Sequence, residues 1–296
     1  MRLGSAVRQL VSPSQFLHPA MLQTLNPLRY GREAWTLTGV HTAASFLRHG
    51  PYDILHCQFG NLGPLAERLV AMRAVRAKLV TSFRGHDLTA AVAARPQRYR
   101  DLFRNGHLFM PVSKSFRDRL LDLGVPAHRI AVHHSGIDVR RFSFSPRIAP
   151  NDRAELLMVG RSTEKKGHEC ALEAFAKVIA AGRDAKLAII GDGEIQGALC
   201  ERCGSLGVAK RVFFWGSRSQ EEVVSTVHSS HLLLAPRVTA GNGGMEGIPN
   251  VSKEAMATGM PVLTTLHSGI LALVAHGVSG VLVPERDLDT LASSLI

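Results

Sequence analysis

"AELLMVGRSTEKKGHECALEAFAKVIAAGRDAKLAIIG", residues 154–191, decides the fold. Its two ends, 154–160 and 185–191, are short apolar runs that read as strands. The segment between them, 167–181, is longer and amphipathic and reads as a helix. Strand, helix and strand in succession make a unit whose two strands lie side by side and parallel. The rhythm continues toward the C-terminus. Strands are expected at 211–216, 231–236, 261–265 and 280–284, with helices at 194–206, 219–229, 249–258, 269–275 and from 287 on. Toward the N-terminus, strands are expected at 53–59, 78–83, 107–112 and 129–134, with helices at 63–75 and 114–123. Ser113 is placed to cap the second of these helices and Gly124 to stop it. Prolines and polar residues break the pattern in "RRFSFSPRIAPNDR" (140–153). The expectation is two doubly wound α/β domains, 1–145 and 146–296.

The composition agrees. The chain has 296 residues, 45% hydrophobic and 20% charged, which suits two globular domains. Four cysteines do not make a disulfide framework. Cys200 and Cys203 form a C-x-x-C inside a helical stretch and read as reduced thiols. No apolar run approaches the roughly 18 residues that span a bilayer. The N-terminal stretch has Arg8 within its apolar part and no clean cleavage site, so a signal peptide is not expected. A soluble cytoplasmic protein is. The net charge of +11 is uneven: +13 on residues 1–148 and −2 on 149–296. A basic first half suits an anionic partner, whether acidic lipid, a pyrophosphate-linked acceptor or nucleic acid. The arginines are dispersed and not interleaved with aromatics, which disfavours nucleic acid.

In parallel sheets of this kind ligands bind at the carboxyl ends of the strands. After 154–160 come Arg161, Lys165 and Lys166, then Gly167 opening a helix. A guanidinium fork and an ammonium beside a helix N-terminus suit a diphosphate. After 185–191 comes "GDGE", where Gly191 and Gly193 let the backbone turn tightly or approach a ligand. It is not the G-x-G-x-x-G of dinucleotide binding. In "FFWGSRS" (213–219) the loop after Trp215 could pass beside a planar base.

"GMEGIPNVSKEAMATGMPV" (244–262) carries Glu246 and Glu254 with seven residues between. Pro249 suits a first helical position, and Asn250 with the nearby N–H groups then offers an anion site. Glu246 lies before the helix and Glu254 within it. Each carboxylate can accept from vicinal hydroxyls, one on either side of a phosphate. A nucleotide-sugar has that arrangement. The spacing alone fits equally well one loop glutamate and one solvated helix glutamate.

Together "GRSTEKKG", "GDGE", "EGIPNVSKEAMATGMPV", "HSGI" and "GVSGVLVPERD" resemble the retaining glycosyltransferases of family 4, in the colanic-acid and exopolysaccharide branch. "DILHCQFGNLG", "TSFRGHDL", "PVSKSF" and "HHSGIDVRRF" extend the resemblance, which covers residue 50 to the C-terminus. It implies the GT-B fold, two Rossmann-like domains facing across a cleft. It implies hexosyl transfer with retention from a UDP- or GDP-hexose to a lipid-linked saccharide, without metal or cofactor. By this resemblance Arg161 and Lys166 bind the donor diphosphate, and with Glu246, on the transferred sugar, they form the catalytic set. Glu254 holds the ribose, and Gly191, Gly193, Trp215, Ile248, Pro249 and Asn250 complete the donor side. Arg84, His86 and Asp87 fall on the side of the acceptor and reacting sugar. Arg84 stands where many relatives carry His, and His86 where they carry Tyr. Leu271 and Ala272 stand where Pro and Glu are frequent. The family's opening strand and Gly-rich loop are not recognisable, and "TLASSLI" ends mid-helix, so an incomplete first domain is expected. The implied location is cytoplasmic, with peripheral contact to an acidic inner-membrane face. Two other readings stay open: a nucleotide-sugar-binding fragment without turnover, and a sugar-nucleotide epimerase on the same fold.

Overall fold

The computed structural model describes residues 38–150 and 152–296, so the N-terminal stretch read for a signal peptide lies outside it. The described chain divides into two compact units. One comprises the described residues up to 83 with 95–111 and 119–131; the other comprises 84–94, 112–118 and 132–296.

The first unit holds a parallel sheet in the order β1 (Ile54–Cys57), β2 (Lys78–Phe83), β3 (Leu108–Pro111). Leu55 pairs with Leu79, and Val80 with Leu108. Helix α1 (Thr38–His49) places Ala43 and Ala44 against Leu69 of α2 (Gly63–Ala71) and against Met72 and Val75. Phe83, Tyr99, Phe103 and Phe109 pack with ring centroids 5.5–6.4 Å apart, the offset and edge-on spacing that aromatic quadrupoles favour. Tyr99 and Phe103 flank and enter α4 (Arg100–Asn105), which follows α3 (Ala90–Ala94) in the chain. Residues 129–134 form no strand. Ile130 makes one bridge to Phe109, and the segment then leaves the sheet.

Helix α5 (Lys114–Asp122) has the cap its sequence announces. The Phe116 N–H donates to Ser113 Oγ at 3.3 Å. Past its end, Gly124 takes φ +85 and its N–H reaches the Leu121 carbonyl at 2.9 Å.

The second unit is a six-stranded parallel sheet. Its strands are β4 (Ala154–Val159), β5 (Ala185–Ile190), β6 (Val212–Gly216), β7 (Leu232–Ala235), β8 (Val262–Thr265) and β9 (Val281–Val283). Their order is β6-β5-β4-β7-β8-β9, so the direction of winding reverses between β4 and β7. Both faces are buried, and alternate side chains serve opposite cores. Leu156, Met158, Leu187, Ile189 and Leu263 face α6 (His168–Ala180), α7 (Gln196–Ser205) and α10 (Leu288–Ser293). Leu157, Ile190, Leu233 and Val262 face α8 (Gln220–Ser229) and α9 (Asn250–Ala257). This is why the strands read as nearly continuous apolar runs. The segment 269–275 is a 3-10 turn, Ser268–Ala272, not an α-helix.

Arg147 ties the 140–153 segment to this unit. Its guanidinium donates to the carbonyls of Val227, His228 and Ser230 at 2.7–3.0 Å, and to Thr258 Oγ1 at 2.7 Å. The three carbonyls lie at the C-terminal end of α8, where a cation is favoured.

Candidate active site

The reversal between β4 and β7 brings their following loops together. A Cβ on Gly160 would lie 3.4 Å from the Lys166 stem and 3.6 Å from Arg237 Nη1. The Lys166 ammonium reaches Glu246 Oε2 at 2.9 Å, and the Lys165 ammonium reaches Oε1 at 2.7 Å. Arg237, two residues past β7, is 2% exposed. Burial pushes the Glu246 carboxyl up, but Lys166, Arg237 and Lys165 together outweigh this and hold it at about 2. Burial, then Arg237 and Lys165, depress Lys166 to about 8 against the opposing pull of Glu246. His168, the first residue of α6, is pushed to about 4 by burial, then by Arg237 and Lys166, and adds no charge. The result is three cations on one carboxylate, a local surplus of positive charge.

The Glu246 main chain is fixed separately. Its N–H donates to His267 Nε2 at 3.1 Å. His267 is fully buried, and its Nδ1 meets the Glu285 carboxylate. These partners require the neutral ring with its proton on Nδ1. Glu285 also accepts the Thr239 N–H at 2.7 Å. A chain of bonds thus runs from the loop after β9, through the loop after β8, to the peptide that carries Glu246.

Gly191 and Gly193 have a packing reason. A Cβ at Gly191 would meet the Gly160 carbonyl oxygen at 2.0 Å, and one at Gly193 the Ser162 oxygen at 2.4 Å. They let the loop after β5 lie on the loop after β4. Pro249 is the N-cap of α9, φ −65 and ψ 129, rather than its first helical residue. Its ψ is extended, and its fixed φ suits both positions. It offers no side-chain cap, so the first N–H groups of α9, from exposed Asn250 on, have none. Ile248 is half-buried beside it. Glu254 lies a turn into α9, half-buried; burial raises its carboxyl and Lys253 opposes the rise. Trp215, next to last in β6, is 39% exposed.

Of the residues singled out from sequence, the fold brings Lys166 and Glu246 into contact. Arg161 is exposed, and among the described residues its guanidinium joins no ion pair; the arginine of the cluster is Arg237. Asp87 is 2% exposed and accepts the N–H groups of Arg84 at 3.0 Å and Gly85 at 2.8 Å, which fixes the loop. His86 is exposed and Arg84 half-buried. Arg237, His267 and Glu285 were not singled out. Each follows a strand, β7, β8 and β9, and the strand-end rule applied to every strand points to them. Asp287-Leu288-Asp289 has Asp-x-Asp spacing, but Asp287 caps α10 through the Thr290 N–H at 3.0 Å and Asp289 pairs with Lys177. No group of three or more His, Cys, Asp or Glu side chains is placed to hold a metal among the described residues. No helix among them is long and apolar enough to cross a membrane.

Parallel sheets wound this way are Rossmann-like, and solved glycosyltransferases of the GT-B class share the fold. The Anabaena HepE protein in complex with UDP and glucose superposes with a TM-score of 0.73 at 19% identity, covering 90% of this chain and 72% of that one. The family described as "Glycosyl transferases group 1" matches residues 139–296, and "Glycosyltransferase Family 4" matches 10–141. The chain is 34% identical over 278 residues to the putative colanic acid biosynthesis glycosyltransferase WcaL of Salmonella typhimurium, covering 93% of this chain and 68% of WcaL. It is 33% identical to the amylovoran biosynthesis glycosyltransferase AmsK of Erwinia amylovora, covering 98% and 72%. The chain belongs to the family 4 glycosyltransferases with a group 1 C-terminal domain.

Proposed function

We propose that this glycosyltransferase moves a hexosyl unit, with retention, from a nucleotide-diphosphate sugar to a lipid-linked oligosaccharide in exopolysaccharide biosynthesis. The observation that carries the reading is the set of three cations, Lys165, Lys166 and Arg237, around Glu246 at the reversal of the sheet. One carboxylate leaves two positive charges without a counter-charge there, which suits a diphosphate of charge near −2. On donor binding the phosphates take over Lys166, with Arg161 closing from the exposed side and the N–H groups at the start of α9 beside Asn250 assisting. Glu246, released from the lysines, turns to the hydroxyls of the transferred sugar. Glu254 holds the ribose, and the loops at Gly191, Gly193, Trp215, Ile248 and Pro249 shape the donor pocket. The anomeric C–O bond to the phosphate breaks as the acceptor oxygen bonds to the same face, and the acceptor proton passes to the leaving phosphate oxygen. Arg84, His86 and the loop fixed by Asp87 lie on the acceptor side.

The test is release of UDP or GDP that depends on a lipid-linked acceptor, with the anomeric configuration of the product read by NMR. Glu246→Gln should lower kcat by about a hundredfold. Turnover of the donor without acceptor would favour epimerisation, and donor binding without turnover would favour a binding role.

A further inference from the structure

The segment that carries Glu246 has few side chains to hold it. Of residues 240–247, "AGNGGMEG", four are glycine. Side chains hold its peptides one by one. The Gly241 N–H donates to Glu164 Oε2 at 3.0 Å, the Gly244 N–H to Asn242 Oδ1 at 2.9 Å and the Met245 N–H to Thr89 Oγ1 at 3.1 Å. The Glu246 N–H goes to His267 Nε2. The loop after β8 also packs on the next peptide. A Cβ on Gly269 would lie 3.0 Å from the Gly247 carbonyl oxygen and 2.9 Å from the Ile248 side chain.

The acceptors differ in kind. The oxygens of Glu164, Asn242 and Thr89 always offer a lone pair. An imidazole nitrogen accepts only when the proton of the neutral ring sits on the other nitrogen. Glu285 meets that condition, because its carboxylate accepts a hydrogen bond from the His267 Nδ1–H. Burial raises the Glu285 carboxyl, but His267 and the Thr239 N–H outweigh this and hold it below its ordinary range, so it stays an acceptor. Its other oxygen receives the Thr239 N–H at 2.7 Å, two residues past Arg237. One carboxylate on the loop after β9 thus fixes both ends of the segment 237–246, the end with Arg237 and the end with Glu246. A buried N–H needs an acceptor wherever it lies, and a carbonyl or a hydroxyl would serve. The pair does more, since it ties the Glu246 peptide to the place of Arg237.

We propose that His267, with its tautomer set by Glu285, is a positioning residue for the transfer. It fixes the Glu246 peptide so that the carboxylate meets the hydroxyls of the transferred sugar once the phosphates have taken the lysines. Through Glu246 it acts on the chemical step and not on the nucleotide. The proposal rests on the reading of Glu246 as the sugar contact.

NMR on the isotope-labelled full chain reads the His267 tautomer and the hydrogen exchange of the Glu246 N–H. The wild type should carry the ring proton on Nδ1 and protect that N–H. Glu285→Ala should populate both tautomers, and in His267→Leu the Glu246 N–H should exchange about tenfold faster or more. His267→Gln should restore protection, because its amide oxygen can accept that N–H while its amide nitrogen donates to Glu285. In acceptor-dependent release of UDP or GDP, His267→Leu and Glu285→Ala should lower kcat about tenfold or more, and His267→Gln should recover it. Calorimetry with free UDP or GDP should find their affinity nearly unchanged. In a Glu246→Gln background the loss of His267 should add little, since both act through one group. The proposal falls if the proton lies on Nε2, if the Glu246 N–H exchanges alike in the wild type and His267→Leu, if kcat is indifferent to both variants, or if they weaken the nucleotide as much as they lower kcat. Should His267→Leu not fold, exchange and kcat in Glu285→Ala decide. A wild type without turnover, or a Glu246→Gln with full kcat, strikes the sugar-contact reading instead, and the tautomer and the exchange still decide whether the pair fixes this peptide.

Discussion

Lys166 is the residue whose state most directly sets the charge of the cluster. Burial and two neighbouring cations bring it to about 8, while Glu246, held at about 2, stays ionised throughout the neutral range. The sign follows. Below about 8 the lysine is charged and available to a diphosphate, and above it the free protein has lost that charge. Nucleoside diphosphate binding restores the proton, so affinity should fall as pH rises, approaching about tenfold per pH unit above that point. Lys166→Arg, whose charge does not titrate, should flatten the profile. Titrations of UDP or GDP between about pH 7 and about pH 10 read this, and a flat wild-type profile would remove Lys166 from the diphosphate.

The elements place these residues through close backbone contacts. Gly167, between the lysines and α6, has φ +70, and a Cβ there would lie 1.7 Å from the Pro236 carbonyl oxygen. Gly182, after α6, has φ +80 with nothing within 4 Å of its Cβ position. Both alanine variants pay for a left-handed backbone, but Gly167→Ala must also part the loops after β4 and β7. It should cost about 1–3 kcal/mol more than Gly182→Ala in urea unfolding. Equal costs would mean that the loops do not meet as described. Much of this level was legible in the sequence. The strands and helices from 154 onward, 269–275 apart, follow the apolar rhythm closely, because burial on both faces leaves the strands nearly continuous apolar runs. The segment 129–134 has a short apolar run of its own, Ile130 to Val132, but bridges the sheet only at Ile130, and an apolar run does not report pairing. Glu246 and Lys166 were found by motif. Arg237 lies in none of the motifs, and His267 and Glu285 lie in two of them without a visible role, because they reach Glu246 through strand adjacency rather than sequence proximity.

At the scale of the whole molecule the charge is divided, +13 on residues 1–148 against −2 on the remainder. A basic half should be drawn to acidic lipid, where the lipid-linked acceptor proposed above would reside. Co-sedimentation with vesicles should require anionic lipid and weaken as salt rises through the screening range. Binding indifferent to both would detach the charge from the membrane. The central claim concerns the cationic cluster, and titration calorimetry with free UDP and GDP on the wild type and three variants tests it most directly. Lys166→Ala should weaken the nucleotide about tenfold or more. Glu254→Gln should also weaken it, since the free nucleotide keeps its ribose. Glu246→Gln should bind it at least as tightly as the wild type, because its carboxylate competes for both lysines in the unliganded protein. Unchanged affinity in Lys166→Ala, or a loss in Glu246→Gln as large as that in Lys166→Ala, would contradict the assignment of this cluster to the donor diphosphate.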